Sequence, residues 1–150
     1  MSIIEESVEV QVPVSVAYNQ WTQFEEFPQF MEGVESVKQV DDTHLHWTAQ
    51  IAGAHREWDA EIVEQHPDER IAWRAIDGAE NAGVVTFHKI SADTTKVMLQ
   101  LDFEPEGFVE KAGDALGVVK RRATGDLERF KTFIEARGTE TGGWRGNVEN

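Results

Sequence analysis

One hundred and fifty residues, 40% of them hydrophobic and 28% charged, are enough for one domain with a substantial core and lie outside the disordered class. Twenty-eight acidic residues against 14 basic ones leave a net charge of −14, which argues against a nucleic-acid partner, because phosphate backbones are met by basic faces. The chain has no cysteine, so disulfides, thiolate metal sites and thiol catalysis are excluded.

The chain opens Met-Ser-Ile-Ile-Glu-Glu-Ser, without the basic region and apolar stretch of a signal peptide, and no apolar run approaches the roughly 18 residues that span a membrane. A cytoplasmic protein without stable membrane insertion is expected. Val8, Val10 and Val12 alternate with Ser7, Glu9 and Gln11, the period of a half-buried strand. Pro13 stops it and Ser15 is placed to cap a helix carrying Val16, Ala17, Trp21 and Phe24. Phe27-Pro28 breaks that helix, and Phe30, Met31 and Val34 suggest a second short helix ended by Gly33.

From Glu35 to Glu104 strand follows strand. Leu45, Trp47, Ala49 and Ile51 share one face; Arg56, Trp58, Ala60 and Ile62 share the next. Gly53 fits the first central position of a type II′ turn, a register that sets Trp47 across from Ala60 and Ala49 across from Trp58. A third strand begins at Ile71, Trp73 and Ala75 after a turn at Pro67-Asp68, and a last hairpin turns at Ser91-Ala92-Asp93-Thr94. Beyond Pro105 the period becomes helical: Ala112, Leu116, Val119, Ala123, Leu127, Phe130 and Ile134 form one apolar stripe, predicting a helix from about Phe108 to Ala136 that Gly138 terminates. Between Gly107 and Arg137 lie seven of the 14 basic residues and only five acids, so this segment is +2 within an acidic chain.

Strand, two short helices, about six strands and one long helix describe an α+β helix-grip fold, a curved antiparallel sheet wrapped around a long C-terminal α-helix. The expected organisation is a single domain over 1–137 and a polar C-terminal tail, 138–150, whose single large apolar side chain is Trp144. The run Val12-Pro13-Val14-Ser15…Tyr18…Trp21…Phe24-Glu25-Glu26-Phe27-Pro28-Gln29-Phe30-Met31 resembles the opening of the polyketide cyclase/dehydrase branch of the START-like (SRPBCC) superfamily. Arg70-Ile71-Ala72-Trp73, Gly83-Val84-Val85-Thr86-Phe87 and Asp126-Leu127-Glu128-Arg129-Phe130 resemble its later landmarks, over roughly residues 3 to 137. The resemblance, which extends to coenzyme Q-binding proteins, implies a cavity between sheet and helix and no common catalytic set.

Trp47, Trp58 and Trp73, with Phe87 and Phe103, fall on the inward phase of the strands, and Leu116 and Val119 face them from the helix. Gly113, Gly117 and Gly125 each cost about 1 kcal/mol in a helix interior and suggest omitted side-chain volume beside the stripe. An apolar ligand cavity follows, with Arg56 as its one inward charge; a filled core without ligand is the structural alternative. Phe30 and Met31 are expected at its entrance, between the segment Asp77–Gly83 and the glycine-bearing half of the helix.

His44 and His46 share a face, with Glu61 and Asp59 on the neighbouring strand, ligand types for zinc, but on the solvated side where cross-strand polar pairing is the better reading. No metal or other cofactor is expected. No Gly-x-Ser-x-Gly, Ser/His/Asp spacing or phosphate loop is present, so catalytic residues are not assignable. Two functions remain: binding or transport of a small hydrophobic molecule of quinone, lipid or polyketide type, and a cyclase or dehydratase working in the same cavity. With one ionisable group on the inward strand phases, the sequence favours the carrier.

Overall fold

The computed structural model describes residues 2–31, 33–51, 54–77, 81–103 and 112–148. The alternating segments become strands β1 (Ser2–Val10), β2 (Val34–Gln39), β3 (His44–Ile51), β4 (Ala54–His66), β5 (Arg70–Asp77), β6 (Asn81–Ser91) and β7 (Thr94–Phe103). They form one antiparallel sheet in the order β1-β7-β6-β5-β4-β3-β2. Helix α1 (Val14–Trp21) and a 3-10 helix, Phe24–Gln29, link β1 to β2, and α2 (Ala112–Arg137) follows β7. This is the expected helix-grip architecture. Among the described residues no helix is long and apolar enough to cross a membrane.

The β4–β5 ladder is bulged twice, at Ile76 of β5 opposite Asp59 and Ala60 and at Val63 of β4 between Ile62 and Glu64, and such bulges bend a sheet. The second bulge changes which residues face inward: Trp58, Ala60 and Ile62 are buried, and the next buried position is Gln65 rather than Glu64. The tight turn between β4 and β5 is made by Asp68 at φ 63°, a conformation that aspartate tolerates better than most side chains.

The β3–β4 register differs from the sequence-based expectation by two residues. Trp47 faces Trp58, Ala49 faces Arg56 and Leu45 faces Ala60. An even slip keeps every side chain on its face, so hydrophobic patterning does not distinguish the two pairings. The observed register brings the two indoles into a near-parallel stack, with centroids 5.7 Å apart and planes at 7°. The turn residues 52 and 53 lie outside the described residues.

The segment between β1 and β2 also departs from expectation. Ser15 lies inside α1, and Pro13, extended and without a side-chain cap, precedes it. Helix α1 stops at Trp21, where the Thr22 hydroxyl donates to the Asn19 carbonyl at 2.6 Å. Phe30 and Met31 form no second helix; both amides return to the Phe27 carbonyl, and Gly33, at φ +83°, turns the chain into β2.

Helix α2 buries Val119, Ala123, Leu127, Phe130 and Ile134 and exposes Lys120 and Arg121. It crosses the concave face. Arg122 reaches the Gln50 carbonyl of β3 at 3.2 Å, and Lys131 reaches the Glu9 carbonyl of β1 at 3.0 Å. Gly138, at φ +74°, ends it as expected, whereas its predicted first residues lie outside the described set. The C-terminal segment then runs back over α1 and pairs Val148 with Gln65 of β4.

Candidate functional site: an indole-lined cavity

Between sheet and helix lies a cavity of about 150 Å³. Its floor is the stacked pair Trp47 and Trp58 with Trp73 of β5; its roof is Val119, Ala123 and Leu127 of α2. Trp21, Phe24 and Phe27, from α1 and the 3-10 helix, close one side. These rings interlock: Phe27 lies 5.6 Å from Trp47, and Trp21 meets Phe130 edge-on at 4.8 Å.

Small side chains border this space. Ala49 and Ala123 line it, while Gly117 is exposed, and a methyl added there would meet only the Arg121 guanidinium, 3.5 Å away. Gly125 packs against the Arg129 guanidinium, and the surroundings of Gly113 lie outside the described residues. On the floor one glycine does matter. Gly83 pairs directly with Trp73, and a Cβ there would sit 2.6 Å from the indole. The segment Asp77–Gly83, expected as a loop, is largely strand: β5 runs through Asp77 and β6 starts at Asn81.

Polar groups are few and lie at the edges. Asn81 is buried, and its Oδ1 accepts from Trp73 Nε1 at 3.4 Å. Arg122 and Asp126 reach the wall from α2. Asp126 is only 14% exposed and accepts from Arg129 at 2.5 Å, while Arg129 also donates to the Phe30 carbonyl at 3.0 Å. The Trp47 Nε1–H is enclosed without a hydrogen-bond partner. A wall of this composition suits an apolar occupant.

Of the residues expected at the site, Met31, Trp47, Trp58, Trp73 and Val119 line this cavity. Phe30 does not; it is core, 2% exposed and packed on Phe27, Phe130 and Phe133. Phe87 is likewise core, edge-on to Tyr18 at 5.4 Å. Arg56 is half-buried opposite Ala49, its Nε enclosed without a partner, and is not part of the cavity wall. The side chains of Phe103 and Leu116 lie outside the described residues. Arg122 and Asp126 escaped the sequence reading. Both immediately precede stripe residues, Ala123 and Leu127, and stand four apart, so they flank the stripe on the same side.

The histidines lie on the other face. His44 pairs with Glu61 and His46 with Asp59 across β3 and β4, and His46 contacts Asp59 at 2.7 Å and Glu57 at 3.0 Å. Among the described residues no group of three or more His, Asp or Glu is arranged to hold a metal ion.

A family model described as polyketide cyclase / dehydrase and lipid transport matches residues 10–132. An uncharacterized 17.2 kDa protein of the melC2-rnhH intergenic region of Streptomyces lincolnensis is 64% identical over 149 residues, 99% of each chain. The crystal structure of the Zhui aromatase/cyclase from Streptomyces sp. R1128 superposes with a TM-score of 0.77 at 19% identity, over 95% of this chain and 99% of that one. A START superfamily protein from Mycobacterium smegmatis does so at 0.70 and 17%, over 90% and 95%. At these identities the two structural likenesses bear on the fold alone.

Proposed function

The chain belongs to the polyketide cyclase/dehydrase and lipid transport family of the START-like superfamily, and on that premise we propose that it binds and carries a small hydrophobic molecule in the indole-lined cavity of a cytoplasmic protein. The observation that carries this reading is the wall itself: three indoles on the floor and aliphatic side chains on the roof. A space of about 150 Å³ takes an occupant on the order of one ring. A quinone, polyketide or lipid of greater size enters only if a wall moves.

Titration of intrinsic tryptophan fluorescence with a small aromatic ketone tests the reading. Saturable quenching is expected, and Trp58→Ala should weaken affinity by about tenfold or more, whereas Trp58→Phe, which keeps a ring, should lose far less. Non-saturable quenching, or equal affinity in Trp58→Ala, would count against the cavity as a binding site. Native mass spectrometry of gently purified protein would identify what it retains.

One observation favours catalysis by a cyclase or dehydratase in the same space: Asp126 sets a carboxylate, held by Arg129, at the edge of a mostly apolar wall, where a general base would stand. Asp126→Asn separates the two functions. A carrier retains its binding and has no turnover to lose; an enzyme binds and stops turning over.

A further inference from the structure

Five polar residues are buried among the described ones, and three of them, Gln20, Thr22 and Gln65, are partners of the C-terminal segment. Gln20 holds Thr141 twice, donating to its hydroxyl at 3.1 Å and accepting from its amide at 2.8 Å. The Trp144 amide donates to the Thr22 hydroxyl at 3.0 Å, and Asn19 donates to Glu140 at 2.9 Å. Arg145 donates to Asn19 at 2.7 Å and to Asp68 at 2.8 Å while lying over the Tyr18 ring. Val148 exchanges two backbone hydrogen bonds with Gln65, at 2.8 and 2.9 Å. The approach depends on two consecutive glycines: a Cβ on Gly142 would meet Gln23 at 2.8 Å, and one on Gly143 would meet Asn19 at 2.8 Å.

The helix so held is a short element of the cavity wall. Helix α1 has eight residues, too few to be stable by itself, and its main sheet contacts are with β6 and β7. Its last residue, Trp21, lines the cavity. The floor, by contrast, is fixed by strand ladders and the roof by a 26-residue helix. Beneath the segment, the Tyr18 hydroxyl faces the Gln65 side chain, and Asp68 Oδ1 is enclosed without a hydrogen-bond partner. Lifting the segment would give these buried polar groups to water, so opening recovers hydration that the closed state withholds.

We propose that residues 138–148 form a clasp that pins α1 against the sheet, and that its release lets Trp21 leave the cavity wall and admits or discharges the occupant. The passage of a ligand rests on the binding role proposed above; the pinning of α1 stands apart from it. In this reading the door is α1.

Two variants of the full chain test this: Arg145→Ala, which removes the bonds to Asn19 and Asp68, and Gly143→Val, which wedges the segment from Asn19. Amide hydrogen exchange over residues 15–22 should become about tenfold faster in both. Release of a pre-bound single-ring aromatic ketone should accelerate by a similar factor, with the denaturant midpoint of the sheet core little changed. Faster exchange in 139–148 with unchanged protection of α1 would overturn the clasp, as would faster exchange of α1 with an unchanged release rate. If the native protein binds no probe, the binding role fails, and the exchange rates of α1 alone then decide whether the clasp exists.

Discussion

At Gly83 a single absent carbon shapes the cavity floor. The residue faces Trp73 across β5 and β6, and an added Cβ would come within 2.6 Å of the indole and 3.0 Å of the Gln100 carbonyl. Neither neighbour yields cheaply, since one is a packed ring and the other is backbone. Gly83→Ala should therefore cost about 1–3 kcal/mol in denaturant unfolding and push the indole into the space a ligand would occupy. An unchanged midpoint would show that Trp73 has room to retreat. A different single-residue effect operates on the convex face. His46 is held above its ordinary value of 6.5 chiefly by its hydrogen bond to Asp59, then by that to Glu57. A raised folded-state value means that its stabilisation is fully present below pH 6.5 and is lost as pH rises through the folded value. The gap in unfolding midpoint between the native chain and His46→Gln should accordingly be widest near about pH 5.5 and close by about pH 9; a gap that widens with pH would contradict the pairing.

Among the elements, α2 shows how much of a helix a stripe determines. The four- and three-residue steps through Val119, Ala123, Leu127 and Phe130 located the buried face, because only a 3.6-residue period lines those positions up. The same periodicity says little about positions at the edge of the stripe, where a small rotation decides between wall and solvent. Gly117, expected to leave room beside the stripe, lies on the solvent side, while Arg122 stands at the cavity wall. Since Gly117 is exposed with space around it, Gly117→Ala should raise stability by about 1 kcal/mol in chemical unfolding and leave probe binding alone. A loss of stability or of binding would restore the idea that this glycine makes room for something. Strand existence was legible for a comparable reason, since burial of one face imposes alternation. Register was not, because Trp47 opposite Trp58 and Trp47 opposite Ala60 satisfy the same alternation. The docked C-terminal segment left no hydrophobic signature at all: it is held by hydrogen bonds to Asn19, Gln20 and Thr22, which in sequence read as ordinary polar residues of a short helix.

For the molecule as a whole, the dominant long-range term is its charge of −14. Several of the described cations are committed to ion pairs. Arg70 and Arg74 pair with Glu64 and Glu61 on the sheet, and Arg129, Lys131 and Arg145 pair with Asp126, Glu135 and Asp68. Pairs of this kind, mostly half-exposed, contribute little each, whereas the remaining acids repel one another across the whole surface. Two outcomes of adding salt are therefore opposed. If the pairs dominated, screening would lower the thermal midpoint; if repulsion dominates, screening relieves the folded state and raises it. With twice as many acids as bases, repulsion should win. Raising sodium chloride from about 0.01 M to about 1 M, over which the screening length shrinks from about 30 Å to about 3 Å, should raise the midpoint by about 2–4 °C at neutral pH. Sodium chloride is the proper salt because sulfate strengthens apolar burial independently of charge. Near the pI of about 4.7 the carboxylates are partly neutralised, so the same addition should do much less. A midpoint that falls with salt at neutral pH, or rises equally at both pH values, would show that screening of acid–acid repulsion is not what salt changes.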